Sequence, residues 1–96
     1  MSDIRIACIE DHDLTRMGLR AAFKQAGFDY VGEAANGAQG LSLLEDKQPD
    51  VAMVDIGLPD IDGIELIKRF RERRPETKTR ILMLTMHDSE KAVLAA

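Results

Sequence analysis

The sequence lacks the cysteine pairs, the long apolar runs and the excess of basic residues that are typical of disulfide-bonded, membrane-bound and nucleic-acid-binding proteins. Its 96 residues contain one cysteine, Cys8, which excludes an internal disulfide and, inside an apolar run, is predicted to be a buried core residue. There is no signal peptide and no apolar run of about 18 residues, so no membrane contact and a cytoplasmic location are expected. The net charge of −4 and the pI of about 5.1 argue against a basic footprint for nucleic acid.

Other absences narrow the class of protein further. The chain has no low-complexity segment, linker or internal repeat, so residues 1–96 are expected to form one small domain. No glycine-rich turn follows the first apolar run, which argues against a dinucleotide-binding domain. The basic stretch Lys68–Arg74 is interpreted as the solvated face of a helix, because the C-terminal end of a helix favours cations and the chain as a whole is acidic.

Short apolar runs alternate with longer stretches of helical periodicity. The predicted strands are Ile4–Ile9, Tyr30–Ala35, Val51–Val54 and Arg80–Thr85. The predicted helices run from Asp13, a plausible N-cap, to near Gly27, over Ala38–Lys47, from Ile64 to before Pro75, and from Ser89 onward. This alternation predicts an α/β fold, in which helices cover both faces of a parallel sheet.

The first helix has an apolar face with clear helical spacing. Leu14, Met17, Gly18 and Ala21 fall on one side of it, and Ala22 and Phe23 widen that side. We expect this face to pack on the sheet.

Polar residues follow three of the predicted strands. Glu10 and Asp11 end the first run, Asp55 ends the third and Thr85 ends the fourth. Parallel strands bring their carboxyl ends to one edge, where open α/β sheets bind ligands. Crowded carboxylates repel one another unless a cation lies among them, and oxygen ligands suit Mg²⁺. The pattern therefore predicts a divalent-metal site beside Asp55, with the Thr85 hydroxyl bonding to an anionic group on Asp55.

Each of these residues also has a plainer interpretation. Asp55 alone would be read as a loop residue that caps a turn, and the acidic pair as the start of a helix. Thr85 would be a β-branched strand residue. His12 and His87 are interpreted as ordinary loop or helix-start residues, because neither has a second histidine or cysteine at metal-binding spacing. The combination of strand ends favours the site, and Pro59 and Gly63 in the long loop after Asp55 are suited to fixing the shape of that loop.

Three stretches together resemble the receiver domain of two-component response regulators: IRIACIEDHD over residues 4–13, VAMVDIGLPDIDG over 51–63 and ILMLTMHD over 81–88. The segment Leu14–Leu19 is most similar to the subfamily with a C-terminal helix-turn-helix output domain. The resemblance implies a flavodoxin-like doubly wound parallel sheet with strand order 2-1-3-4. It also implies that the usual fifth strand and fifth helix are missing, as in a truncated receiver domain.

The resemblance also implies a mechanism and a set of site residues. Asp55 would accept a phosphoryl group from a sensor histidine kinase, and Mg²⁺ would be held by Glu10, Asp11, Asp55 and the backbone carbonyl of Gly57. Thr85 would be the switch residue, and the site would be flanked by Met86, His87 and Pro59. The chain would be no separate enzyme, and it would reach DNA only through an output domain that is absent here.

One element of the family pattern has no match in the sequence. The fifth strand of receivers brings a lysine to the phosphoryl group, and neither Lys78 nor Lys91 occupies the matching position, so no catalytic lysine is assigned. Without a fifth strand, the apolar run Ile81–Leu84 would be an open sheet edge, which is a hazard for strand pairing. We therefore expect either a longer protein, a second copy paired or exchanged at this edge, or displaced helices.

Two alternatives to the phosphorylation switch remain at the level of sequence. The first is an interaction module that works without phosphorylation and binds a partner, or dimerises, through the exposed edge of the fourth strand; the missing lysine favours it. The second is a small metal-dependent phosphatase on a similar sheet. That enzyme would need an aspartate two residues after Asp55, where Gly57 lies instead.

Overall fold

The computed structural model describes residues 3–87 and 90–95, with side chains over residues 3–84. Strands and helices alternate along this part of the chain until two strands follow one another at its end. The elements are β1 (Arg5–Ile9), α1 (Asp13–Gln25), β2 (Asp29–Ala34), α2 (Gly37–Lys47), β3 (Val51–Asp55), α3 (Gly63–Arg73), β4 (Arg80–His87) and β5 (Glu90–Ala95). Within these residues, no helix has the length and apolar character needed to cross a membrane.

The strands form one sheet with the order β2-β1-β3-β4-β5. The first four are parallel, so the predicted order 2-1-3-4 is confirmed. The register places Ile9 beside Val54 and Asp55 beside Leu84. The carboxyl ends of β1, β3 and β4 therefore meet at one edge of the sheet, which is the edge predicted to hold the site.

The core has two layers, one on each face of the sheet. The larger layer lies between the sheet and helices α2 and α3, and its fully buried side chains include Ile9, Leu44, Leu66, Phe70 and Ile81. The smaller layer lies under α1 and is built on Cys8, Met53 and Leu84, with Leu19 and Phe23 packed against them. Helices on both faces confirm the doubly wound architecture.

Cys8 is fully buried in the smaller core layer, as the sequence predicted. Burial raises the pKa of its thiol to about 12, because an apolar environment disfavours the thiolate. At neutral pH the side chain is therefore a small, protonated core residue.

The predicted buried face of α1 is correct only in part. Leu14 is 83% exposed and Met17 is 52% exposed, and no residue of α1 is fully buried. Of the residues predicted for this face, Phe23 does pack toward the sheet, and Leu19, which was not predicted, packs beside it. Both stripes are apolar at helical spacing, so the periodicity does not distinguish them; the packed stripe also carries Arg16, whose hydrogen bonds fix the rotation of the helix.

The expectations for the C-terminal part of the chain also need correction. Residues Glu90–Ala95 form a strand, antiparallel to β4, where the sequence predicted the start of a helix. The pairing runs from Leu82 beside Ala95 to His87 beside Glu90, so this edge of β4 is covered and not open. Pairing with β4 satisfies the backbone groups of an apolar edge strand, and this outweighs the helical periodicity of these residues. No parallel fifth strand occurs among the described residues.

Candidate metal centre

The site lies at the carboxyl ends of β1 and β3, where the sheet register brings three carboxylates together. Glu10 follows the last residue of β1, and Asp55 is the last residue of β3. Ligand atoms of Glu10, Asp11, His12 and Asp55 all lie within 4.8 Å of one another. The structure therefore brings together the three acidic residues that the sequence predicted, and it adds His12.

Burying these carboxylates costs free energy unless a positive charge or hydrogen bonds compensate for the lost water. Glu10 is 0% exposed and Asp55 is 4% exposed, although both side chains make polar contacts. Charged side chains are rarely so buried unless they are paired or coordinate a metal. Two acidic side chains in the core of a small domain therefore indicate a site for a positive charge.

Asp11 and His12 complete the open side of the cluster. The Asp11 Oδ1 atom is buried and accepts no hydrogen bond from the part of the chain that the structure describes, although the His12 Nδ1 atom lies 3.2 Å from it. The same nitrogen makes a long contact of 3.5 Å with Glu10 Oε2. We interpret the 3.2 Å contact as a proximity without hydrogen-bond alignment, so Asp11 Oδ1 is a buried acceptor aimed at the cluster. Such an oxygen suits a hard divalent cation.

The loop after Asp55 is held by backbone contacts close to the site. The Gly57 N–H donates to Asp55 Oδ1 at 3.1 Å, and the Gly63 N–H donates to the Ile56 carbonyl at 2.9 Å. A Cβ atom on Gly63 would press on the Asp55 carbonyl oxygen and lie 2.9 Å from Ile56 Cα. The sequence interpretation assigned the shape of this loop to Pro59 and Gly63; Pro59 is exposed, whereas the close approach at Gly63 fixes the loop directly.

The same loop is tied to the start of α2 by a residue that the sequence interpretation missed. Asp60 accepts hydrogen bonds from the Gly37 N–H at 2.7 Å and the Ala38 N–H at 3.0 Å. These two backbone donors lower the pKa of Asp60 below its ordinary value. The only sequence signal was an aspartate in a loop, a residue type that often caps helices in proteins.

We expect Asp60 to stabilise the folded chain at neutral pH and to lose this effect in acid. Because its pKa is lower in the folded chain than in the unfolded chain, its stabilising effect is complete above the ordinary value of 3.8 and is lost as the pH falls through the lowered value. The Asp60→Asn variant should be less stable than the wild type at neutral pH, and the difference should shrink in acid. Thermal unfolding at several pH values measures it, with the exposed Asp46→Asn as control; a constant difference would contradict the expectation.

Arg16 is the second residue that the sequence interpretation missed. Its Nη1 atom donates to the backbone carbonyl of Glu10 at 2.7 Å, and its Nε atom donates to Glu33 Oε2 at 3.0 Å. The guanidinium thus joins α1, β2 and the turn that carries the acidic pair. A basic residue six positions after Glu10 was the only signal, and it falls on a helix whose rotation was predicted incorrectly.

The remaining predicted residues lie at the end of β4. The backbone of Thr85 directly follows Leu84, which is the partner of Asp55 in the sheet register. Lys91 of β5 is the backbone partner of Met86. The side chains of Thr85, Met86, His87 and Lys91 are outside the described residues, so their roles stay predictions, as does the ligand role of the Gly57 carbonyl.

Comparison with known proteins identifies the family. Residues 6–96 match the response regulator receiver domain. The chain belongs to this family. The family that the three sequence stretches resemble is therefore confirmed.

The relatives include transcriptional regulators. The nitrate/nitrite response regulator protein NarL of Escherichia coli K12 is 33% identical over 95% of this chain and 42% of its own length. The transcriptional regulatory protein DegU of Brevibacillus brevis is 34% identical over 94% of this chain and 38% of its own length. The chain thus spans about two fifths of either relative.

Solved structures agree with the fold. A two-component response regulator of the LuxR family from Aurantimonas superposes with a TM-score of 0.80 at 33% identity. The superposition covers 91% of this chain and 61% of that structure. The likeness supports both the receiver architecture and the predicted subfamily.

Proposed function

We propose that this receiver domain accepts a phosphoryl group on Asp55 from a phosphohistidine of a sensor kinase, and that Mg²⁺ is required. The observation that carries the proposal is the position of Asp55: it is 4% exposed at the end of β3 and within 4.8 Å of Glu10 and Asp11, in a chain of the receiver family. A strand-end carboxylate in an acidic pocket is suited to act as a nucleophile once a cation offsets the surrounding charge.

The transfer step needs positioning more than acid–base chemistry. An oxygen of the Asp55 carboxylate attacks phosphorus, a P–O bond forms, and the P–N bond to the kinase imidazole breaks as the imidazole leaves with the electron pair. The Gly57 N–H, bonded to Asp55 Oδ1, fixes the plane of the attacking carboxylate. The tie between Asp60 and the start of α2 keeps the loop that carries this donor in place.

The residues present fit a bound Mg²⁺. Glu10, Asp11, Asp55 and the Gly57 carbonyl would hold it, with Glu10 acting through a water molecule. The buried, unbonded Asp11 Oδ1 supports this assignment, because it lacks a hydrogen-bond donor and faces the other ligand atoms. The ion, when bound, shields the incoming phosphoryl oxygens from the carboxylates. These four ligands all offer oxygen atoms, and a set of oxygen donors suits a hard cation.

The added phosphoryl charge would be passed to an output domain. Thr85, which follows the β4 partner of Asp55, would donate its hydroxyl to the phosphoryl group, and Met86, His87 and Pro59 would flank its approach. In this proposal the chain is a group acceptor in a cytoplasmic signalling protein. Contact with DNA would be made only by a helix-turn-helix output domain. The interaction-module alternative is not retained, because β5 covers the edge on which it depended.

A phosphoryl analogue tests the proposal directly. The wild-type chain with Mg²⁺ and beryllium fluoride should show amide shifts centred on Asp55, Gly57 and Thr85, and acetyl phosphate with Mg²⁺ should add one phosphoryl mass. Both signals should vanish in Asp55→Asn, because the nucleophile is removed, and persist in Asp46→Asn, an exposed carboxylate on α2. Signals that survive in Asp55→Asn, or that never appear in the wild type, would overturn the proposal.

A further inference from the structure

The acidic pair Glu10-Asp11 has backbone supports on both sides. The Glu10 N–H donates to the Ala34 carbonyl at 3.0 Å, which ties the start of the pair to β2. The Glu10 carbonyl accepts from Arg16 Nη1 at 2.7 Å. This carbonyl belongs to the peptide unit that joins Glu10 to Asp11, and that unit sets the directions of both side chains. The Arg16 hydrogen bond therefore acts on the link between two of the site's acidic residues.

Arg16 is itself held rigidly. Its Nε atom donates to Glu33 Oε2 at 3.0 Å and its Nη2 atom donates to Asp13 Oδ1 at 2.7 Å. Glu33 in turn accepts from the Tyr30 hydroxyl at 2.9 Å and from Arg20. Each nitrogen of the guanidinium thus has its own acceptor, and the side chain is only 16% exposed. A planar donor fixed at three corners imposes a geometry that a flexible surface cation would not.

We propose that Arg16 is a positioning residue for the metal centre: it orients Glu10 and Asp11 through the Glu10 carbonyl and so sets the affinity for Mg²⁺. The inference rests on the proposed function, because it assumes that these carboxylates hold Mg²⁺. Hydrogen-bond partners of metal ligands orient those ligands, and removing one typically lowers metal affinity by about 10- to 100-fold.

Geometry and electrostatics predict opposite signs for the loss of Arg16. A guanidinium beside an acidic cluster repels an incoming cation, so if only its charge mattered, its removal would strengthen Mg²⁺ binding. If Arg16 holds the acidic pair in place, its removal weakens Mg²⁺ binding although a repelling charge has gone. The direction of the change therefore distinguishes a positioning role from a simple charge effect.

Arg20 is a matched control on the same helix. It also donates to Glu33, at 3.3 Å, but it has no hydrogen bond to Glu10 among the described contacts. Truncating Arg20 removes a comparable charge and a comparable contact with β2 while leaving the Glu10 carbonyl hydrogen-bonded. We expect Arg20→Ala to bind Mg²⁺ as the wild type does or slightly more tightly, since distant surface charges are screened by solvent and salt.

The experiment compares Mg²⁺ affinities by calorimetric titration, with amide spectra to confirm that each variant is folded. Arg16→Ala should bind Mg²⁺ about 10-fold or more weakly, and its metal-free spectrum should show a shifted Asp11 amide nitrogen, because that atom shares the peptide unit with the Glu10 carbonyl. Arg20→Ala should show neither change. Equal or tighter binding by Arg16→Ala, with the Asp11 amide unmoved, overturns the inference.

A second variant covers the case in which Arg16→Ala does not fold. Arg16→Lys keeps the positive charge but cannot reach Glu10, Glu33 and Asp13 together. Because the charge is kept, any loss of Mg²⁺ affinity in this variant comes from a changed position of the acidic pair. We expect a loss, as for Arg16→Ala; an affinity equal to that of the wild type overturns the inference. Failure of the proposed function looks different, because a wild-type chain that binds no Mg²⁺ overturns both proposals at once.

Discussion

Replacing Phe70 with alanine is expected to lower the free energy of unfolding by about 3–5 kcal/mol, the usual cost of truncating a fully buried aromatic side chain. Phe70 lies on α3 with 0% exposure, in the larger core layer between the sheet and helices α2 and α3. Small domains are commonly stable by about 5–15 kcal/mol in total, so this loss is a large fraction of the stability of the chain. Urea unfolding followed by circular dichroism measures it as a fall in the denaturation midpoint.

Ile64 provides the control on the same helix. Its side chain is about half exposed, so Ile64→Ala should change stability by no more than about 0.5 kcal/mol. Both variants remove apolar atoms from α3 and both introduce a good helix former. Similar losses in the two variants would mean that α3 does not pack through Phe70 as described here.

Placing alanine at Gly63 is expected to destabilise the chain by about 1–3 kcal/mol, the range for forcing extra atoms into a packed site. The new Cβ would press on the Asp55 carbonyl oxygen and lie 2.9 Å from Ile56 Cα, and neither backbone atom can rotate away. Because these atoms belong to the end of β3, the strain also displaces the candidate acceptor. We therefore expect weaker Mg²⁺ binding in addition to a lower unfolding temperature.

The same substitution at Gly18 should have the opposite sign. Gly18 lies inside α1, and a Cβ there would meet nothing within 4 Å. Alanine is favoured over glycine in a helix interior by up to about 1 kcal/mol, so Gly18→Ala should raise the unfolding temperature and leave Mg²⁺ binding unchanged. If the two variants shifted stability in the same direction, the close approach at Gly63 would not be the cause.

The parts of the fold that the sequence predicts well are those determined by local pattern. The apolar runs that became β1 and β3 are continuous because parallel strands are buried on both faces, and each ends where a carboxylate appears. Once those strands are adjacent, Glu10, Asp11 and Asp55 must meet. The acidic residues of the site can therefore be predicted from the spacing of the sequence alone.

The parts that the sequence does not predict depend on contacts between distant segments. The contact of Asp60 with the start of α2 joins segments more than 20 residues apart, so local pattern does not predict it. The contact of Arg16 with Glu10 depends on the rotation of α1. The rotation itself was ambiguous, because the helix has two apolar stripes. The local pattern of the last strand predicts a helix. The strand forms because its pairing with β4, a tertiary contact, outweighs local propensity.

The buried cysteine gives the folded chain a chemical property that its unfolded form lacks. Thiol reagents and disulfides react with the thiolate, and the Cys8 side chain is both protonated at neutral pH and closed to solvent. Oxidants therefore cannot cross-link two native copies of this segment through Cys8, whereas an unfolded copy, whose thiol has an ordinary pKa, is open to attack. The resistance of Cys8 to oxidation therefore depends on the integrity of the smaller core layer, and modification of its thiol is expected only in molecules that have already opened.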